Sequence, residues 1–185
     1  MTDHMGAVPV SHEQKLTSLI NQYFDKEHYQ SAIALLKGEM VKSPDDHWLN
    51  AQLAISYYEL RDYKTVMEFS EKAVRLSPNC PLALDYHASI LFANGKVKEA
   101  LRIWNDLLDK NVEEIACGDC GEGVRFAKSL LNDVRFSVGD AYMELNNKEK
   151  ALSYYKSHLA NRQKGIFSKI TRREVLKEIG KIEII

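Results

Sequence analysis

The chain has 185 residues, of which 45% are apolar and 28% are charged, a balance that is ordinary for a folded globular protein and excludes a disordered one. The formal net charge of −1 creates no overall attraction to nucleic acid or to a membrane, so we predict neither as a partner. Three cysteines are too few, and odd in number, for a secreted disulfide scaffold. Because the first ten residues hold no signal-peptide core, we expect a cytoplasmic protein.

The strongest signal along the chain is a repeat of 34 residues, which separates Pro44 from Pro78. Each proline follows an amphipathic stretch, as expected just past a helix end, because proline lacks an N–H and fixes φ. Four columns with one period are hard to obtain by chance and predict stacked pairs of helices. The other three columns are Tyr23, Tyr57 and Leu91; Tyr29, Tyr63 and Val97; and Ala32, Val66 and Ala100.

Three repeat units are predicted over residues 13–114, after a flexible N-terminus at 1–12. In the second and third units, apolar residues recur at helical spacing on both sides of a short turn. Gly95 suits the left-handed turn of the third unit. Helices of this length are marginal alone and need neighbours to bury their apolar faces. The predicted helices are Trp48–Leu60, Tyr63–Leu76, Leu82–Ala93 and Val97–Asp109.

An insertion and helix extension at 115–131 separate the third unit from a fourth at 132–165. The segment Ile115–Gly123 holds three glycines and two cysteines, a composition that disfavours helix. The amphipathic pattern resumes at Val124. The first helix of the fourth unit therefore begins early and is predicted to run to about Leu145.

Cys117 and Cys120 leave three interpretations open: a glycine-rich turn with two thiols, a metal site, or a redox pair. A structural zinc ion needs four ligands, so the fold would have to bring Cys80 or a histidine close, or a homodimer would have to pair two loops. A redox pair needs a stabilised thiolate, and the strand–helix context of a thioredoxin-like motif is absent. We expect no cofactor and no metal, with the Cys117/Cys120 pair as the metal or redox alternative.

Catalytic motifs are not evident in the sequence. The six histidines form no metal-binding spacing, and neither a nucleophile elbow nor a phosphate-binding loop is present. His87 falls in a packing position, which favours a core histidine with a satisfied hydrogen bond. We therefore predict that the protein is not an enzyme.

The last predicted element is a capping helix within 166–185. Thr171 and Glu174 form a capping box at a helix start, and an apolar stripe follows. A solenoid needs such a helix to cover its last exposed face, so we predict that Thr171 to Glu183 does this. A membrane-surface helix is the alternative, and the glutamates in the segment disfavour it.

These features together resemble the tetratricopeptide repeat, with Leu-x-x-x-Tyr early in the unit, alanine in the return helix and proline at the end. In the fourth unit the matching elements are Gly139–Tyr142 and Lys150–Tyr155. The resemblance implies an all-α fold, a right-handed α-α solenoid with a C-terminal capping helix. It also implies a protein–protein interaction module that acts as a scaffold, adaptor or chaperone. The first unit departs from the pattern because its turn, at 26–28, has no glycine.

The first helix of each pair lines the concave face in this family, and its side chains here suit a peptide or an amphipathic helix. The alternative is that some of them, Trp48 and Phe136 in particular, pack against the insertion or the C-terminal helix. A dicarboxylate-clamp co-chaperone is not expected, because only Asn21 matches among the clamp positions. The predicted peptide-binding groove consists of Asn21, Phe24, Gln52, Ile55, Tyr58, Asp85, Ser89, Phe92, Phe136 and Asp140.

Overall fold

The structure, a computed structural model, describes residues 12–118 and 120–183 and contains only helices within those ranges. Most of the predicted N-terminal segment 1–12 lies outside the described residues. None of the described helices is long and apolar enough to cross a membrane. The helices are α1 His12–Asp25, α2 Tyr29–Met40, α3 His47–Glu59, α4 Tyr63–Leu76, α5 Pro81–Ala93, α6 Val97–Leu108, α7 Val112–Cys117, α8 Val124–Glu144, α9 Lys148–Gln163 and α10 Arg172–Glu183.

The helices stack as an α-α solenoid. The paired helices are α1 with α2, α3 with α4, α5 with α6 and α8 with α9, and each pair packs on the next through its neighbouring helices. The return helices carry a fully buried small or medium residue at the crossing, as the sequence pattern predicts: Ala32, Val66, Ala100 and Ala151 are each 0% exposed. The all-α solenoid prediction is confirmed.

A left-handed residue ends the first helix of every pair. In each case the backbone N–H three residues past the last helical residue bonds back to a carbonyl in the last turn, which is the Schellman arrangement. These bonds run from His28 to Tyr23 at 2.8 Å, Asp62 to Tyr57 at 3.1 Å, Lys96 to Leu91 at 2.9 Å and Asn147 to Tyr142 at 2.8 Å. The positive-φ residues are Glu27 (56°), Arg61 (61°), Gly95 (76°) and Asn146 (55°).

This turn predicts opposite effects of two substitutions. Gly95→Ala is expected to lower the free energy of unfolding by about 1 kcal/mol, because the new Cβ is strained at positive φ although no heavy atom lies within 4 Å of it. Arg61→Gly is expected to raise it by up to about 1 kcal/mol, since relief of that strain exceeds the entropy that glycine adds to the unfolded chain. Urea unfolding followed by circular dichroism measures both. If the two changes destabilised the protein equally, backbone strain at positive φ would not explain the stability of this turn.

The insertion differs from the sequence prediction in one respect. The short helix α7 spans the end of the predicted third unit and the start of the insertion, and the glycine content of the segment did not suggest it. Asn111 caps this helix, accepting a 2.8 Å bond from Glu114 N while the Glu114 carboxylate accepts a 3.2 Å bond from Asn111 N. Ile115 and Ala116 of α7 are buried against α8. The helix stops at Gly118, and α8 then runs from Val124 to Glu144, close to the predicted bounds.

The C-terminal helix α10 packs on α9 and begins where the sequence predicts. Glu174 Oε2 accepts a 2.6 Å bond from Thr171 N, and Thr171 Oγ1 accepts a 3.2 Å bond from Glu174 N, which completes the capping box. Val175 and Ile179 are buried in a cluster with Tyr155 of α9. The predicted capping helix is therefore present, and it covers an apolar face that α9 would otherwise expose.

The segment between α9 and α10 is fastened to α8. Ser168 Oγ donates a short hydrogen bond to Asp133 Oδ1 and contacts His158 Nε2 at 2.8 Å. Arg162 Nη1 donates to the carbonyls of Ser168 at 3.0 Å and Ile170 at 2.8 Å. These bonds hold the segment beside the first helices of the repeats, where it forms one wall of a groove.

Candidate functional site

A groove lies between α3, α5, α8 and the segment that follows α9, and encloses a cavity of about 780 Å³. Its apolar lining comes from all four elements. Phe167, at the far wall, is 57% exposed. The apolar residues that line the cavity are Ile55, Leu82, Tyr86, Phe126, Leu130, Phe167 and Ile170.

Acidic side chains outnumber basic ones in the groove. Four acids, Glu59, Asp85, Glu122 and Asp133, line the cavity together with two bases, Arg125 and Lys169. The difference of two formal charges makes the groove acidic in a protein that is almost neutral overall. Such a lining favours cationic groups.

Among these acids, Asp85 has a buried carboxyl group that is held by a tryptophan side chain. Its Oδ1 accepts a 2.9 Å hydrogen bond from Trp104 Nε1. Its pKa is raised to about 6, chiefly by burial and also by the negative charge of Asp133, while the Trp104 bond and Lys169 act in the opposite direction. The ionised carboxylate is therefore poorly solvated at neutral pH, and a cation entering the groove would stabilise it.

The predicted groove residues do not all line the same cavity in the structure. Ile55, Asp85 and Ser89 line the cavity, whereas Gln52, also on α3, is not among its lining residues. Asn21 lines a different cavity, near the start of the chain. Contact of any of these residues with a ligand stays a prediction.

The aromatic members of the predicted set are engaged with other rings. Phe24 packs edge-on against Tyr29 with centroids 5.4 Å apart, Tyr58 packs edge-on against Tyr63 at 6.1 Å, and Phe92 packs on Trp104 at 5.8 Å. Phe136 lies 5.3 Å from the ring of Tyr155, and Asp140 accepts a 2.6 Å bond from Tyr155 Oη. The last two therefore hold α8 against α9, an element that the packing alternative from the sequence did not name.

Several groove residues lie outside the repeat register and were missed by sequence reasoning. Phe167, Lys169 and Ile170 belong to the connection between α9 and α10, and Glu122 belongs to the loop after α7. A repeat pattern assigns positions only within repeats. The one sequence signal near them was the amphipathic pattern that resumes at Val124.

His87 behaves as the packing position predicts. It is half-buried, and its Nδ1 lies 3.1 Å from Ser70 Oγ. Burial lowers its pKa, so the neutral imidazole is favoured.

A second cluster joins two thiols and an imidazole. His47 Nε2 lies 3.0 Å from Cys120 Sγ, and Ser77 Oγ lies 3.8 Å from the same sulfur. The donor atoms of His47, Cys80 and Cys120 all lie within 4.8 Å of one another. Burial, followed by the neighbouring Cys120, raises the pKa of Cys80 to about 12.

This cluster differs from the cysteine pair suggested by the sequence. Cys117 is exposed and stands outside the group. The partners of Cys120 are instead Cys80, at the start of α5, and His47, at the start of α3. The cluster borders a cavity of about 810 Å³ that Asn21 also lines.

The sequence profile of the tetratricopeptide-repeat family matches residues 49–80 and 133–157. The first segment covers most of α3 and all of α4 and ends just before α5, and the second covers the second half of α8 with part of α9. These two segments of the chain are therefore similar to tetratricopeptide repeats, and the helix pairs in which they lie stack as an α-α solenoid. Repeats of this family are typically non-catalytic interaction modules.

Solved tetratricopeptide-repeat structures resemble the chain over most of its length. The structure of pilF from Pseudomonas aeruginosa superposes with a TM-score of 0.72 at 14% identity, over 92% of this chain and 67% of that one. YrrB, described as a TPR protein with an unusual peptide-binding site, gives 0.59 at 18% identity, over 90% and 73%. A tetratricopeptide-repeat protein from Parabacteroides merdae gives 0.59 at 20% identity, over 92% and 59%. At these identities the likeness establishes the fold.

Proposed function

We propose that this protein is a non-catalytic interaction module that binds a peptide segment of another protein in the groove between α3, α5 and α8. The observation that carries the proposal is the lining of the 780 Å³ cavity, which combines apolar side chains from four elements with an excess of carboxylates. The partner segment, extended or helical, would carry an apolar anchor and at least one lysine or arginine.

The apolar part of the groove supplies the anchor site. Ile55 of α3 and Phe126 of α8 line the cavity, and Phe167 stands at its edge with more than half of its surface in solvent. Large apolar side chains in a concave site contribute most of the binding energy in many interfaces. An aliphatic or aromatic side chain of the partner would bury against these three residues.

The acidic part of the groove supplies the charge preference. Asp85 lies inside the cavity with a pKa raised to about 6 by burial. A lysine or arginine of the partner would stabilise its ionised form, and Glu59 and Asp133 add attraction of the same sign. The groove should therefore discriminate against acidic segments.

The family and one structural relative support a peptide as the occupant. Tetratricopeptide repeats are typically interaction modules, and YrrB is described as having an unusual peptide-binding site. Whether the protein acts as a scaffold, an adaptor or a chaperone depends on the partner it holds. We place this activity in the cytoplasm, since all three cysteines are unpaired, as a reducing compartment favours.

A displayed library of random peptides, selected on the full chain, tests the proposal. We expect the selected peptides to combine an apolar residue with lysine or arginine. In fluorescence polarisation, Ser89→Arg should weaken their binding at least about 10-fold, because it fills the cavity and brings a positive charge beside Asp85. Phe167→Ala should weaken binding about 5-fold through the loss of apolar contact.

Leu176→Ala is the matched control. Leu176 is 45% exposed on α10 and lies outside the cavity lining, so its truncation should leave the affinity unchanged. Circular dichroism confirms that each variant keeps its helix content. Peptides that bind Ser89→Arg as tightly as the wild type, or that show no basic preference, would contradict the proposal.

A further inference from the structure

We propose that His47, Cys80 and Cys120 bind a zinc ion. The three side chains come from three separate parts of the chain, and the fold brings their donor atoms within 4.8 Å of one another. No other group of three or more such side chains meets this condition in the part of the chain that the structure describes.

The helices place two of the ligands. Cys80 is the N-cap of α5, and its side chain makes no capping bond to the helix. His47 is the first residue of α3, whose N-cap bond is supplied by Asp46. Neither residue is therefore used to cap the helix at which it lies. The third ligand, Cys120, comes from the loop after α7, which turns back because Gly121 N bonds to Gly118 O at 2.8 Å.

The distances fit a zinc ion with little rearrangement. In a tetrahedral site, Zn–S bonds of about 2.3 Å and Zn–N bonds of about 2.0 Å put neighbouring ligand atoms about 3.5–3.8 Å apart. The present separation of His47 Nε2 and Cys120 Sγ is 3.0 Å, so these atoms would part by about half an ångström. The other pairs of ligand atoms are at most 4.8 Å apart, about 1 Å more than the tetrahedral site requires. Rotations about the side-chain torsions can bring these atoms closer.

The donor set selects the metal. Two sulfurs and one imidazole nitrogen suit zinc and disfavour magnesium or calcium, which require oxygen ligands. Three protein ligands leave the fourth position to water or to another group. That position would face the cavity of about 810 Å³, which the three ligands border together with Glu122.

The ion would fasten the loop after α7 to the starts of α3 and α5. Those contacts join parts of the chain that are 73 residues apart, from His47 to Cys120. Glu122, two residues beyond Cys120, lines both this cavity and the groove. A bound ion would therefore fix the backbone at one wall of the groove as well.

Metal titration of the reduced full chain tests the site. Zinc affinity is measured by competition with a chromophoric chelator in the presence of a reductant that is not a thiol, and Co²⁺ serves as the spectroscopic probe. We expect one equivalent of metal, a tetrahedral visible spectrum and a near-ultraviolet thiolate-to-cobalt band. With free zinc about 100-fold above its Kd, the Tm should rise by about 5–10 °C.

Matched variants separate these ligands from the neighbouring thiol. Three variants, Cys80→Ser, Cys120→Ser and His47→Gln, should each weaken zinc binding by at least about 100-fold. Mutation of a residue that only hydrogen-bonds to a metal ligand already weakens binding by up to about 100-fold, and loss of the ligand itself should cost at least as much. Cys117→Ser, in the same loop, and His28→Gln, an exposed histidine, should bind as the wild type does. Circular dichroism in the absence of metal checks that each variant is folded.

Three results would overturn the proposal. The first is a folded, reduced wild-type chain that binds no zinc. The second is a Cys80→Ser variant that keeps the site while Cys117→Ser loses it, since this would return the site to the loop alone. The third is an octahedral cobalt spectrum without a thiolate band, which would exclude the two sulfurs.

Discussion

Truncation of Trp104 to alanine is expected to lower the free energy of unfolding by about 3–5 kcal/mol. The side chain is 1% exposed and lies in the cluster that joins α5, α6 and α8. Its ring packs on Phe92, with centroids 5.8 Å apart, and its Nε1 donates to Asp85 at 2.9 Å. The change thus removes the largest fully buried side chain of the protein and leaves Asp85 without its donor. Urea unfolding followed by circular dichroism gives the difference.

Two further tryptophan variants separate the causes. Trp104→Phe keeps most of the apolar volume and removes the donor, so it should cost about 1–3 kcal/mol. Trp48→Ala is the matched control, because Trp48 is only half-buried and its truncation should cost less than that of Trp104. A Trp104→Ala variant that unfolds at the same urea concentration as Trp48→Ala would contradict the assignment of Trp104 to the core.

The repeat made the fold predictable from the sequence, because each 34-residue unit shows the same packing requirement again. Ala32, Val66 and Ala100 are all fully buried for one reason, the close crossing of two helices. The conformation of the turn between paired helices was harder to predict from the sequence. Gly95 indicates a left-handed turn in the sequence, because glycine favours that conformation. Glu27 and Arg61 give no such indication, yet they adopt the same conformation, which the hydrogen bond at the helix end stabilises.

The candidate sites were only partly predictable, and the reason is geometric. Repeat register placed Ile55, Asp85 and Ser89 on the face where the groove lies. It could not place Phe167, because the connection between α9 and α10 folds back over that face through contacts such as Ser168 with Asp133. Such contacts between distant segments follow no periodicity.

The thiol cluster shows the same limit more sharply. The spacing of Cys117 and Cys120 drew attention because the two are close in sequence. The structure instead brings Cys120 to His47 and Cys80, both at the starts of helices in earlier repeats. The stacking of α3 beside α5 creates this neighbourhood, so it becomes visible only once the solenoid is assembled.

Gly139→Ala is expected to lower the free energy of unfolding by about 3 kcal/mol, the upper end of the cost of overpacking. An added Cβ would lie 2.5 Å and 2.7 Å from ring carbons of Tyr155. That ring is 0% exposed, is contacted by Phe136, and is fixed by the 2.6 Å bond from its hydroxyl to Asp140. Because the ring cannot move aside, α8 and α9 would have to separate.

Gly38→Ala provides the matched control for this change. Gly38 lies inside α2, and an added Cβ there meets no heavy atom within 4 Å. Alanine favours helix over glycine by up to about 1 kcal/mol, so Gly38→Ala should stabilise the protein. The two substitutions thus make the same chemical change within a helix and should act with opposite sign.

A double-mutant cycle identifies the contact responsible. In a Tyr155→Leu background the ring that opposes Cβ is absent, so Gly139→Ala should cost at least about 1 kcal/mol less than it does in the wild type. An unchanged cost would show that the backbone of α8, and not the Tyr155 ring, requires glycine at this position. The expected coupling follows from the crossing of α8 and α9, where one residue without a side chain makes room for one large ring.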